Sequence, residues 1–178
     1  ADAAWSQGTL ILSRQVQNVA WRLYRSHRHP SEKEVFFDHY MTFVKYLCTV
    51  WDRYSNVIAI ELLNEPPLGG IPDVAATITS RTDLFDFYAA VLQELDNETM
   101  PIKSPIAVED VFGTSLQPTV QAVSEVFGLD SLSSSAIAAL KRWTGKGQLI
   151  VSFHWYPPST SESSLQEYIN GAILLAKE

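Results

Sequence analysis

Three short stretches carry the residues that could do chemistry. Asn64-Glu65 closes an apolar run and is followed at once by Pro66-Pro67. Glu109-Asp110 closes a second run, Pro105 to Val108, and Ser152-Phe153-His154-Trp155-Tyr156 ends a third ahead of Pro157-Pro158. A carboxyl group in a partly closed cleft is desolvated, which favours its neutral form, so it can give a proton to a leaving oxygen. The two prolines stiffen the chain just past Glu65 and limit where its side chain can wander. His154 and Tyr156 are two residues apart, so on a strand they share a face. Other chemistries lack their residues. His27-Arg28-His29 with His39 matches no metal-ligand spacing. There is no Gly-rich phosphate turn and no serine nucleophile elbow, and Cys48 sits alone in an apolar helical pattern. No metal and no cofactor is expected.

The elements that must position these groups can be read from periodicity. Residues 1 to 30 give no clear pattern beyond a weak strand option at Gly8–Leu12. Ser31 and Glu34 read as a capping box. Phe36, Tyr40, Phe43, Leu47, Trp51 and Tyr54 then recur at three- and four-residue steps, predicting a helix from about Ser31 to Arg53. Val57 to Leu63 is a nearly continuous aliphatic run, the pattern of a parallel strand covered on both faces. A helix is expected near Thr82 to Leu95, with the stripe Leu84, Tyr88, Val91, Leu92, Leu95. Pro105 to Val111 reads as a strand. A long helical region past Pro118 ends at about Trp143, and Leu149 to Tyr156 is a third strand. Ser164 and Glu167 form a further capping box, opening a final helix. Alternation of this kind implies βαβ units. In such folds ligands bind at the C-terminal ends of the strands, where Glu65, Glu109 and His154 fall.

Asn64-Glu65-Pro66 after Ile58-Ala59-Ile60-Glu61-Leu62-Leu63, preceded by a helix ending in Trp51-Asp52-Arg53-Tyr54, resembles the strand-four motif of the retaining glycoside hydrolases of family 5. Ser152-Phe153-His154-Trp155-Tyr156 resembles the strand-six motif of the same family. The resemblance implies an α/β fold, part of a (β/α)8 TIM barrel from about strand four to helix six, with residues 1–178 as a single partial catalytic domain. It implies hydrolysis of β-glycosidic bonds with retention, Glu65 as general acid/base and Asn64 as its partner at the sugar 2-hydroxyl. His154 would line the substrate subsite and Tyr156 would donate to the nucleophilic carboxylate. Glu109 either lines the cleft or forms a structural carboxylate pair with Asp110. Trp155 and Trp143 are sugar platforms or, more in keeping with such residues, core.

A retaining mechanism needs a second carboxylate about 5 Å from the first. In the family it is a Glu at the end of strand seven, for which this chain has no candidate. The nucleophile and the rest of the barrel are therefore expected from outside these residues, from the same or another chain. The alternative is a non-catalytic scaffold or subunit of a larger assembly. Substrates would be a β-linked oligo- or polysaccharide or a glycolipid, and the aromatic content suits sugar faces. Apolar residues make up 46% and charged residues 19% of 178, the composition of a folded core. A net charge of −7 with no basic cluster argues against nucleic acid. No apolar run approaches the roughly 20 residues of a membrane span. No signal peptide is read at ADAAWSQGTL, although a secreted or extracellular setting accompanies the resemblance. Asn97-Glu98-Thr99 matches a glycosylation sequon.

Overall fold

The computed structural model describes residues 14–67, 74–97, 102–109 and 132–152. Helix α1 spans Arg14–Arg25, and a 3-10 turn follows at Ser26–Arg28. A short turn of helix at Pro30–Glu32 and a π-helical stretch at Lys33–Asp38 lead into α2, His39–Trp51. Strand β1 is Ile60–Glu61, α3 is Val74–Asp96, β2 is Ile106–Glu109, α4 is Ser134–Gly145 and β3 is Leu149–Ser152. The strands form one parallel sheet in the order β1-β2-β3.

This corrects the expected fold. The described residues are mostly helical, with three short parallel strands, and they do not form the partial TIM barrel implied by the resemblance. The physical reason lies in the sheet. Only two residues of the apolar run Val57–Leu63 pair as a strand, because Ile58 is 84% exposed and the ladder begins where the Ile60 amide donates to the Pro105 carbonyl. The run was also expected to be covered on both faces. Ile60, Ile106 and Leu149 are in register on one face, and Ile60, Ile106 and Val108 are buried in the core. Glu61, Ala107 and Ile150 share the other face, where Glu61 and Ile150 are exposed. Gly8–Leu12, Pro118 and the Ser164/Glu167 box lie outside the described residues.

Helix α3 is central among the described residues. Its expected stripe of Leu84, Tyr88, Val91, Leu92 and Leu95 is buried, and so are Phe85, Phe87 and Ala89 on its other sides. The helix starts at Val74, eight residues before Thr82, and α1 and α4 both pack against it. Helix α1 was not legible. It buries Gln17, Ala20 and Tyr24, a three- and four-residue step whose apolar members are too few to stand out. Its last residue, Arg25, and Arg28 of the following 3-10 turn both bond the buried carboxylate of Asp83 on α3, at 2.5 and 2.6 Å.

Helix α2 buries a different stripe from the one expected. Phe37 of the π-helical stretch and Met41, Val44 and Cys48 of α2 face the core, whereas Phe43, and Tyr54 beyond the helix, are exposed. The π-helical stretch over Lys33–Asp38 inserts a residue into the helical repeat and turns the face that follows. The Ser31/Glu34 capping box does not form. Pro30 takes the first helical position behind His29, which makes no side-chain cap. Helix α4 is capped by Ser133, whose Oγ accepts from the Ala136 amide at 3.2 Å. It ends two residues beyond Trp143 in a Schellman turn. The Gly147 amide donates to Thr144 and the Gln148 amide to Trp143, with Gly147 at φ 69° as that turn requires.

Candidate functional site

The loop after β1 is held from three sides. The ladder's last bond on this side runs from the Leu62 amide to the Ala107 carbonyl, 3.0 Å. The Leu62 carbonyl then accepts from the Tyr40 hydroxyl of α2, and the Pro67 carbonyl from the Tyr24 hydroxyl of α1, each at 2.7 Å. Between these anchors the Glu65 amide donates to Glu109 Oε2 at 2.6 Å. Glu109 ends β2, and its own carbonyl accepts from Tyr88 of α3 at 3.0 Å. Three tyrosine and glutamate contacts thus fix six residues that form no regular structure, and Tyr88 steadies the third of them.

Phe87 organises the tyrosines. Its ring lies 5.2 Å from that of Tyr40, 6.3 Å from Tyr24 and 5.9 Å from Phe37, the last edge-on. Such contacts leave the phenol rings little freedom. Burial drives the hydroxyls of Tyr24 and Tyr40 far above the ordinary tyrosine value, so both stay protonated donors at any physiological pH.

Glu65 adopts φ 48°, the left-handed region, and is the one described non-glycine residue there. For an L-residue with a Cβ this costs about 1–2 kcal/mol. The residue is also 5% exposed, as is Glu109, and Pro66 is fully buried behind it. Two carboxylate-bearing residues therefore lie buried at the C-terminal ends of adjacent parallel strands. On the sheet face that carries Glu109, Ser152 Oγ makes a very short hydrogen bond to Glu61 Oε1. Asn64, next to Glu65, is exposed.

The expected site residues divide in two. Glu65 and Glu109 are brought together, with Asn64 beside them. His154, Trp155 and Tyr156 lie outside the described residues, as does Asp110. Trp143 is core, 2% exposed, with the Lys146 ammonium over its ring. A hollow of about 510 Å³ lies at the opposite end of the strands, bounded by Asp96, Ile102, Lys103, Trp143 and Gln148. Among the described residues no group of three or more His, Cys, Asp or Glu is arranged to hold a metal ion. Cys48 is buried, and burial with the charge of Asp52 pushes its thiol up to about 11. Sequence reasoning missed Tyr24, Tyr40 and Tyr88. Tyr40 and Tyr88 were visible only as members of apolar stripes, and Tyr24 falls in the segment without a legible pattern.

Comparison with protein-family models, with curated proteins and with solved structures gave no match. Among the described residues no helix is long and apolar enough to cross a membrane.

Proposed function

We propose that the chain carries the acid/base part of a site that hydrolyses β-glycosidic bonds with retention, acting on a β-linked oligo- or polysaccharide or a glycolipid. Glu65 is the general acid/base, Asn64 its partner at the sugar 2-hydroxyl, and His154, Trp155 and Tyr156 contribute to the substrate subsite. The nucleophile is a carboxylate from outside this chain, about 5 Å from Glu65 in the working site. One observation carries the proposal: Glu65 holds a left-handed backbone, with its flanking loop tied to three different elements. Strain of this kind persists where the surroundings over-determine it, and it is concentrated at functional sites. Glycine would adopt that backbone without cost, so a glutamate there is favoured by what its side chain does.

In the first step Glu65 protonates the leaving oxygen as the nucleophile attacks the anomeric carbon. In the second it takes a proton from water, which attacks the glycosyl intermediate. Removing the acid/base should lower turnover of an unactivated β-glycoside by about 10²- to 10⁴-fold. Glu65→Gln in the intact protein is the test. Its turnover of an activated aryl glycoside should recover on adding azide, which attacks the intermediate without a general base. Near-normal rates on the unactivated substrate would end the proposal.

A second reading, a non-catalytic scaffold, is favoured by the burial of Glu65, since a proton donor must meet its substrate. Under that reading Glu65→Gln changes stability alone, and azide changes nothing.

A further inference from the structure

Glu109 entered as either a cleft residue or a structural carboxylate. We propose a third role, that Glu109 is the positioning residue for Glu65: its carboxylate accepts the Glu65 amide and so selects the backbone conformation that aims the acid/base side chain. The kinetic part of this inference rests on the function proposed above. The hydrogen bond itself does not.

Three observations support it. The Glu65 amide has no place in the β1–β2 ladder, whose last bond on this side is made by Leu62. Its acceptor is instead a side chain from the neighbouring strand, at 2.6 Å. An ionised carboxylate accepts such a bond more strongly than a neutral group does. Second, Glu65 sits at φ 48°, so its amide direction and its side-chain direction are set by one torsion, and an acceptor placed off the strand end fixes both. Third, the backbone of Glu109 is held from two elements. It is in register with Ser152 on β3, its carbonyl holds the Tyr88 hydroxyl, and Tyr88 is wholly buried against Phe85 and Phe87. A chain of contacts therefore runs from the central helix through Glu109 to the backbone of Glu65, and none of it needs to touch substrate.

A residue of this kind affects the step that needs a proton and spares the step that does not. The experiment compares two β-glycosides of one sugar, one with an alkyl leaving group and one with a dinitrophenyl group that departs unprotonated. In the intact protein Glu109→Ala should lose about 10- to 100-fold in kcat on the alkyl substrate. In kcat/KM, which reports the first step, it should lose less than about threefold on the aryl one, while kcat and KM there fall together because the second step still needs Glu65 as base. Glu109→Gln keeps one acceptor oxygen and should recover most of the loss, and it serves if Glu109→Ala does not fold. Equal losses in kcat/KM on both substrates, or no loss on the alkyl one, would overturn the role. Glu65→Gln run alongside separates the two claims. A normal rate for it sinks the acid/base assignment and this role with it. A crippled Glu65→Gln beside an unaffected Glu109→Ala sinks the positioning role alone. Nitrogen–proton NMR reads the bond directly. The Glu65 amide proton should move upfield in Glu109→Ala, and an unmoved resonance rejects the bond whatever the activity.

Discussion

Glu65 is where local preference and local structure disagree most. A buried glutamate in the left-handed region gives up backbone energy, and the surrounding contacts must offset it. Two substitutions isolate that term. Alanine keeps the steric conflict of a Cβ, and glycine removes it at the cost of greater freedom in the unfolded chain. Glu65→Gly should therefore be more stable than Glu65→Ala by about 0.5–1 kcal/mol in urea denaturation, while both lack the proton donor. The reverse order would mean that the loop does not hold this backbone. The motif made Glu65 legible because an amide, a carboxylate and a proline after an aliphatic run stand out. The torsion was not legible, since it depends on acceptors that are 44 residues away in the chain.

At the scale of elements, the loop is held by tyrosines reaching in from two helices. Tyr24 and Tyr40 give their protons to backbone carbonyls, and burial keeps both phenols neutral. The sign of the pH effect follows. Above pH about 10 the unfolded chain releases phenolic protons that the folded chain retains, so the unfolded state binds fewer protons and stability falls as pH rises. Cys48, raised to about 11 chiefly by burial, adds to the same decline from its lower starting value. Urea midpoints measured from pH 8 to 11 should drop steeply at the alkaline end. The double variant Tyr24→Phe/Tyr40→Phe should cost about 1 kcal/mol per lost hydrogen bond at neutral pH and flatten the alkaline decline. A decline of unchanged slope in that variant would show that other groups titrate. The acid side has its own pair of ties. Burial opposes ionisation of Asp52, but hydrogen bonds from Ser104 and Lys103 hold it below its ordinary value and fasten the end of α2 to the start of β2. Asp96 behaves alike, with burial outweighed by Lys146 and Arg142, and joins α3 to the end of α4.

Among the described residues of the whole molecule, one sheet face is packed in the core and the other is partly exposed, with Ala107 and Glu109 buried on it and Glu61 and Ile150 exposed. Ile106 is fully buried against the helices, whereas Ile150, on the neighbouring strand and the opposite face, is 40% exposed. Ile106→Ala should cost about 2–5 kcal/mol through lost burial and the cavity left behind. Ile150→Thr should stay within about 0.5 kcal/mol, as surface changes do. Comparable losses at both positions, read from thermal or urea unfolding, would show that the second face is covered as well.

The sequence by itself determined which segments alternate, that α3 buries the stripe from Leu84 to Leu95, and that Asn64-Glu65 and Glu109 stand where apolar runs end. Those features are written in neighbouring residues and in periods of two or three to four. The tertiary structure decided the rest. It truncated Val57–Leu63 to a two-residue strand, turned the buried face of α2 from Phe43 to Val44 through a π-helical stretch, and made α1 a helix on the strength of its contacts with α3. It also replaced the expected barrel segment with a largely helical body on a three-stranded sheet. Strand length, helix phase and the bond between Glu65 and Glu109 depend on partners distant in the chain, and no local pattern encodes where those partners come to rest.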